Sequence, residues 1–292
     1  MSHIVKGMRN VMGTFVTITI VHPNLDEAKS ALLAAFDEIY RINDLMSIHK
    51  ESSEVSTLNR EGFCKGVSTD TKYVIQRANY FSELSDGTFD ITILPVLKLW
   101  EERARTSKVP ADAEIGETAG LVNYRNIVIE DSTIGFGKAG MGITLAGVAK
   151  GYAVDKAIET LSQRNIRHAL VNGGGDIRVI GGKTEATLWK IAIRDPQNKK
   201  RLSTTVELHE QAIATSGTYQ RFFNDIIDPK IGRPAQGVLS STVITEKAID
   251  ADILATCILI LGAEKGRELL QRLEGVRALV IKSDGSILEL AC

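Results

Sequence analysis

Thr14-Phe-Val-Thr-Ile-Thr-Ile20 alternates Phe15, Thr17 and Thr19 with Val16, Ile18 and Ile20. Period two sends the two sets to opposite faces of a strand and predicts that one face is buried. His22-Pro-Asn24 breaks this strand, and from about Asp26 the residues Ala28, Leu32, Ala35, Phe36, Ile39 and Ile42 recur at helical spacing. An amphipathic helix is therefore expected directly after the strand. Another helix is expected after Asp70, with Val74, Ala78 and Phe81 on one side and Asp86-Gly87 as its closing turn. A third runs from about Val148 to Arg164, with Val154, Ala157, Ile158 and Leu161 as its apolar stripe. Strand candidates follow at Ala169-Leu-Val171, Trp189-Lys-Ile-Ala-Ile193, Thr204-Thr-Val-Glu-Leu208 and Ser241-Thr-Val-Ile-Thr245, and a last helix begins near Ile249. This irregular order lacks the steady alternation of a doubly wound sheet. It predicts an α+β fold with largely antiparallel sheets and packed helices.

The chain's 292 residues fit one large domain or two lobes sharing a cleft, and no repeat or Pro-rich linker places a boundary. Apolar residues at 43% and charged residues at 24% describe an ordinary globular chain, so neither disorder nor a fibrous repeat is indicated. A formal net charge of -1 removes the electrostatic argument for nucleic-acid or membrane-surface binding. Cys64, Cys257 and Cys292 are far apart and form no Cys-x-x-Cys pair, which argues against a disulfide scaffold or a zinc site. No secretory signal or membrane span is visible. As it stands the sequence reads as cytoplasmic, and as exported if a signal segment was removed.

Chemistry concentrates in three segments. Gly147-Val-Ala-Lys150-Gly151 opens the third helix, where free N–H groups, the helix dipole and the Lys150 charge suit a phosphate. The same glycines equally suit close packing of that helix on a neighbour. Asn172-Gly173-Gly174-Gly175-Asp176 follows the strand His168-Ala-Leu-Val171 and suits either a hairpin turn or a surface on which a ring or phosphate lies. Asp252-Ile-Leu-Ala-Thr256 puts a carboxylate and a hydroxyl on one helical face, as hard ligands for Mg²⁺ or as a structural pair.

These segments stand in a longer series. Met12-Gly13-Thr14, Met46-Ser-Ile-His49 with Ser53 and Leu58-Asn59, and Gly87-Thr88-Phe89-Asp90 with Pro95 and Trp100 precede them. Gly147-Val-Ala-Lys-Gly-Tyr-Ala-Val-Asp155 and Val171-Asn-Gly-Gly-Gly-Asp-Ile177 come next, then Ala214-Thr-Ser-Gly-Thr-Tyr219, Ile226-Ile-Asp-Pro-Lys-Ile-Gly-Arg-Pro234 and Ala251-Asp-Ile-Leu-Ala-Thr256. In order and spacing, over most of the chain, the series resembles the ApbE family of FAD:protein FMN transferases. The resemblance implies a two-lobed, T-fold-like single domain over residues 1–292 with its active site in a cleft between the lobes. It also implies transfer of FMN from FAD to a Ser or Thr of a partner protein with release of AMP. By the same resemblance Mg²⁺ falls to Asp252, Thr256 and the main chain of Gly147 and Ala255. Flavin-nucleotide contacts fall to Met12, His49, Thr88, Phe89, Asp90, Thr144, Lys150 and Ile227, with Gly173 and Gly174 shaping the pocket wall. Asp225 and Asp252 are the implied catalytic carboxylates. The implied partners are FAD and an acceptor with a Ser/Thr flavinylation motif, such as a redox-complex subunit or a flavin reductase.

Two positions depart from the family pattern. Asp225 stands where His usually precedes Ile-Ile-Asp-Pro, and Thr144 stands where Asp usually precedes the helix-start signature. Asp225, with a reference pKa of about 3.9, is a weaker base than His unless burial raises it. Thr144 hydrogen-bonds without charge. The Asp225 departure keeps two other readings in play: a metal-dependent FAD pyrophosphatase, in which water replaces the acceptor hydroxyl, and a non-catalytic flavin-binding protein.

Overall fold

A computed structural model describes residues 2–198, 201–218 and 226–291. Asp225 and Tyr219 lie outside the described residues. The first strands, β1 (His3–Val11) and β2 (Thr14–His22), form a hairpin whose register closes at Val11 opposite Thr14. Its two-residue turn holds Met12 at φ 56° and Gly13 at φ 69°, the double positive φ that matches strand twist. For a methionine this is a strained conformation, held here by the pairing on either side.

Asn24 ends the break after β2 and caps α1 (Leu25–Met46), its side chain accepting from the N–H groups of Asp26 and Glu27. Phe36, Ile39 and Ile42 of α1 are almost fully buried, each worth about 2 kcal/mol. Packing, rather than propensity, therefore holds the helix to the sheet.

Between α1 and the next long helix lie α2 (Glu54–Glu61), β3 (Phe63–Cys64), α3 (Thr69–Leu84), α4 (Leu94–Arg105), α5 (Asp112–Ala119), β4 (Ile127–Glu130) and β5 (Thr133–Phe136). Strands β3, β5 and β4 make a small antiparallel sheet. After it come α6 (Ala149–Gln163), β6 (Ala169–Gly173), β7 (Asp176–Ile180), β8 (Trp189–Arg194), β9 (Leu202–Leu208) and β10 (Ala212–Gly217). The two-residue strands β11 (Ile227–Asp228) and β12 (Arg233–Pro234) pair with each other. The chain closes with β13 (Val238–Thr245), α7 (Ala248–Leu270, broken at Gly262), β14 (Arg277–Lys282) and β15 (Ile287–Ala291).

Eight strands form one sheet in the order β1-β2-β6-β7-β10-β13-β14-β15, every neighbour antiparallel. The expected α+β architecture with largely antiparallel sheets is therefore present. On one face α1, α6 and α7 build the main core, with Ile18, Ile20, Phe36, Ile39, Ile158 and Leu254 in one cluster. On the other face the β8–β9 ribbon lays Trp189, Ile191 and Ile193 over Ile177, Val179, Ile213 and Ile244.

Two hairpin turns come together at one end of this sheet. Register Val16 opposite Gly173 sets the β1–β2 turn beside the β6–β7 turn, where Gly174 (φ 72°) and Gly175 (φ 114°) connect Gly173 to Asp176. A Cβ on Gly174 would stand 2.4 Å from Thr14 Oγ1, so a side chain there is excluded twice, by conformation and by space. The hairpin-turn reading of the glycine run is correct, and the turn borders the site.

Candidate functional site

The first turn of α6 faces the first turns of α7 almost without a gap. A Cβ on Gly151 would lie 2.3 Å from the Ala248 carbonyl oxygen. This close approach lets the N–H of Gly151 donate to Asp252 Oδ2 at 3.3 Å. The anion at this helix N-terminus is therefore one of the protein's own carboxylates.

Lys150, on the same turn, reaches Asp176 Oδ2 at 2.5 Å and Asp252 Oδ2 at 3.3 Å. Asp176 is delivered by the first residue of β7 and Asp252 by α7, and their side chains are only 5% and 6% exposed. Burial, reinforced by the negative charge of Asp176 and opposed by Lys150, pushes Asp252 up to about 7. Burial alone would lower Lys150, but the two carboxylates overcome it and hold the ammonium charged.

One turn along α7, Thr256 Oγ1 meets Ser216 Oγ at 3.1 Å and lies 3.4 Å from the carbonyl of Asp252. A Cβ on Gly147 would stand 3.9 Å from Thr256 Oγ1 and 3.3 Å from the Phe89 ring, so the backbone at 147 lies close to both. Ala255 is fully buried beside them in the sequence. Met12, Thr14, Lys150 and Gly173, with the buried Val16, Ile39, Ala153 and Val154, line a narrow crevice too tight here to hold a water molecule.

The donors gathered here are carboxylates, hydroxyls and main-chain carbonyls, all hard oxygen. Among the described residues no group of three or more His, Cys, Asp or Glu is placed to hold a metal, so an imidazole- or thiolate-rich centre is not available. Two carboxylates share one ammonium, leaving an excess negative charge that raises Asp252. A hard divalent cation such as Mg²⁺ fits both the donor set and that excess.

The sequence-derived residues divide by position. Met12, Gly147, Lys150, Gly173, Gly174, Asp252, Thr256 and Phe89 converge on the cluster or the crevice, and Ala255 is buried next to Thr256 in the chain. Thr88, next to Phe89, is buried. Asp90 is buried with its oxygens turned inward, accepting from the Thr92 N–H at 2.8 Å, the Thr92 hydroxyl at 2.6 Å and the Tyr124 N–H at 2.9 Å. Burial nonetheless pushes its carboxyl above the usual range. Thr144 is buried on the segment leading to Gly147, with its N–H on the Ile91 carbonyl and its hydroxyl accepting from Ala146. Ile227 is buried on the β11–β12 ribbon. His49 is exposed on the loop after α1, and among the described residues no hydrogen bond ties it to the cluster.

Sequence reasoning missed Asp176, Ser216 and Thr14 as members of the site. Asp176 was readable only as the end of a glycine turn. Its role follows from the β7 alternation that also sends Arg178 to the Asp155 carboxylate of α6, at 2.9 Å. No local pattern marks Ser216, which enters through the pairing of β10 with its neighbours.

Known proteins share this antiparallel α+β fold. The ApbE protein of Thermotoga maritima superposes with a TM-score of 0.90 at 30% identity, covering 98% of this chain and 96% of that one. The flavin transferase ApbE from Vibrio cholerae gives 0.89 at 29% identity, covering 99% and 97%. In sequence, the FAD:protein FMN transferase of Vibrio cholerae is 30% identical over 96% of this chain and 88% of its own length. That of Klebsiella pneumoniae is 29% identical over 90% and 85%. The ApbE family model matches residues 12–280, and the chain belongs to that family.

Proposed function

We propose that this protein transfers FMN from FAD to a Ser or Thr hydroxyl of a partner protein, releasing AMP, in a cleft between two lobes of a single domain. The observation that supports the reading most is the Lys150–Asp176–Asp252 cluster beside the Thr256 and Ser216 hydroxyls. It offers one fixed ammonium and a hard-oxygen set in a buried place, as phosphoryl transfer requires. The relatives named FAD:protein FMN transferase supply the substrate class.

In the reaction the acceptor oxygen forms a bond to the FMN phosphorus while the bond from that phosphorus to the AMP oxygen breaks. AMP leaves with the electron pair, and the hydroxyl proton passes to a base. Lys150 would hold pyrophosphate charge, and Met12, Thr14, Gly173 and Gly174 would border the nucleotide where the two hairpin turns meet. Thr88, Phe89, Asp90, Thr144, His49 and Ile227 complete the proposed flavin-nucleotide contacts. Asp225 is the proposed base. Asp252, Thr256 and the main chain of Gly147 and Ala255 would hold Mg²⁺, which when bound neutralises charge on the pyrophosphate and the leaving group.

The test is to incubate the protein with FAD, Mg²⁺ and a flavin-free acceptor, a redox-complex subunit or flavin reductase bearing a Ser/Thr motif. AMP and flavin fluorescence on the acceptor after a denaturing gel are expected, both lost with EDTA or Asp252→Ala. AMP without labelled acceptor would replace the transferase with a pyrophosphatase. Neither product, despite FAD binding, would leave a flavin-binding protein.

A further inference from the structure

The β1–β2 hairpin carries a surface that the site does not use. Among the described residues, strand β1 pairs with β2 alone, and no strand pairs with the other side of its nine residues. Among the described residues, Val21 is the only member of the β1–β2 hairpin in the cluster under the β8–β9 ribbon. Beyond it Ile4, Met8 and Phe15 stand on the uncovered outer face, 54%, 57% and 62% exposed. They share that face because Ile4 pairs opposite Val21, Met8 opposite Thr17 and Asn10 opposite Phe15. Met8 and Phe15 are therefore diagonal neighbours, close enough to act as one patch.

The two strands of the hairpin carry charge of one sign. The first acidic residue of the chain is Asp26, so β1 and β2 carry Lys6 and Arg9 with no carboxylate. Lys6 is exposed on the apolar face, opposite Thr19, and Arg9 stacks over the Phe36 ring on the helix side. A second copy of this chain pairing edge to edge would set these cations against their own kind. That arrangement is disfavoured in a sheet. A foreign segment bringing carboxylates beside apolar side chains fits instead.

The patch also lies beside the crevice. Phe15 directly follows Thr14, which lines it, so the two Cα atoms are about 3.8 Å apart. Their side chains point to opposite faces of the sheet. A segment gripped on the outer face is thus one hairpin turn away from the site.

Resting on the transferase reading above, we propose that β1 and the outer face of the β1–β2 hairpin dock the acceptor protein. The docked element is an extended acceptor segment that adds to the open edge of β1, sets apolar side chains on Ile4, Met8 and Phe15, and places carboxylates near Lys6 and Arg9. The acceptor's Ser or Thr is carried past the Met12–Gly13 turn toward the Lys150–Asp252 cluster.

The experiment measures binding and labelling of a flavin-free redox-complex subunit with a Ser/Thr acceptor motif by the wild type, a Met8→Ser/Phe15→Ser double variant and Lys6→Glu. The double variant should raise the acceptor Kd and KM by about 10-fold or more, as loss of two buried side chains predicts. Its kcat at saturating acceptor and its FAD binding, read by flavin fluorescence, should match the wild type. Lys6→Glu should raise KM most at low salt. Unchanged acceptor Kd and KM in both variants would overturn the proposal. So would a wild-type dimer, seen by sedimentation, that the double variant dissociates while KM stays fixed. A wild type that binds this subunit but yields neither label nor AMP would remove the transferase reading while the docking surface stands on its Kd.

Discussion

Replacing Gly151 by Ala tests the contact on which the cluster is built. The added Cβ would meet the Ala248 carbonyl oxygen at 2.3 Å, its carbon at 2.6 Å and Ile249 Cα at 2.8 Å, all main-chain atoms. These distances fall about 1 Å short of van der Waals contact, and no rotamer change relieves a backbone clash. Helices α6 and α7 must separate by a similar amount at the turn where the Gly151 N–H reaches Asp252 at 3.3 Å. That hydrogen bond is then lost. Overpacking of this kind costs about 1–3 kcal/mol, and the lost hydrogen bond to a charged group about 1.5 kcal/mol more. For a chain of this size the melting temperature should fall by about 5 °C or more. Calorimetry gives that value, and titration of Mn²⁺ followed by its EPR signal should show weaker binding at Asp252 in the same variant. A melting temperature and Mn²⁺ affinity both equal to the wild type would refute the reasoning, because the two helices would then have room that the structure denies them.

Asp252→Asn should make the metal-free protein less sensitive to pH. The folded-state pKa of Asp252 is raised from 3.8 to about 7, so the native state holds the proton more tightly, and this contribution is lost as pH rises through about 7. Denaturant unfolding at pH 5 and pH 8, with EDTA present, should show a drop for the wild type that the Asn variant largely lacks. Lys150→Met removes the ammonium shared by Asp176 and Asp252 and should cost about 3 kcal/mol at pH 8, with less at pH 5, where Asp252 takes up a proton. Urea unfolding reads both values. Cys257 is fully buried and its thiol is pushed up to about 12 by burial, so iodoacetamide should label it in the native protein only after unfolding. Peptide mass mapping after timed alkylation checks this.

The elements that sequence rhythm revealed are those with one clean buried face. The strand from Thr14 and the helix from Asp26 are β2 and α1, the helix after Asp70 is α3, and Val148–Arg164 holds α6. Strand β1 escaped notice because an edge strand is wet on most sides: Lys6, Met8, Arg9 and Asn10 are all exposed, so its alternation is nearly silent. Helices α4 and α5 bury only Leu94, Val96 and Ile115, too few for a stripe. In the site, the i, i+4 pair Asp252 and Thr256 was legible because a helix fixes its spacing. The partnership of Lys150 with Asp176 and Asp252 was not, because those carboxylates are 26 and 102 residues away in the chain. Only sheet register and the α6–α7 contact bring them together.

FAD carrying ³²P either at the FMN phosphorus or at the AMP phosphorus shows directly which phosphoryl group reaches the acceptor. After reaction with Mg²⁺ and a flavin-free acceptor, the acceptor recovered under denaturing conditions should carry label only from the FMN phosphorus. The AMP label should appear in free AMP, one for each acceptor modified, and Asp252→Ala should abolish both. Label from the AMP phosphorus on the acceptor, or FMN label released wholly as free FMN, would contradict the account.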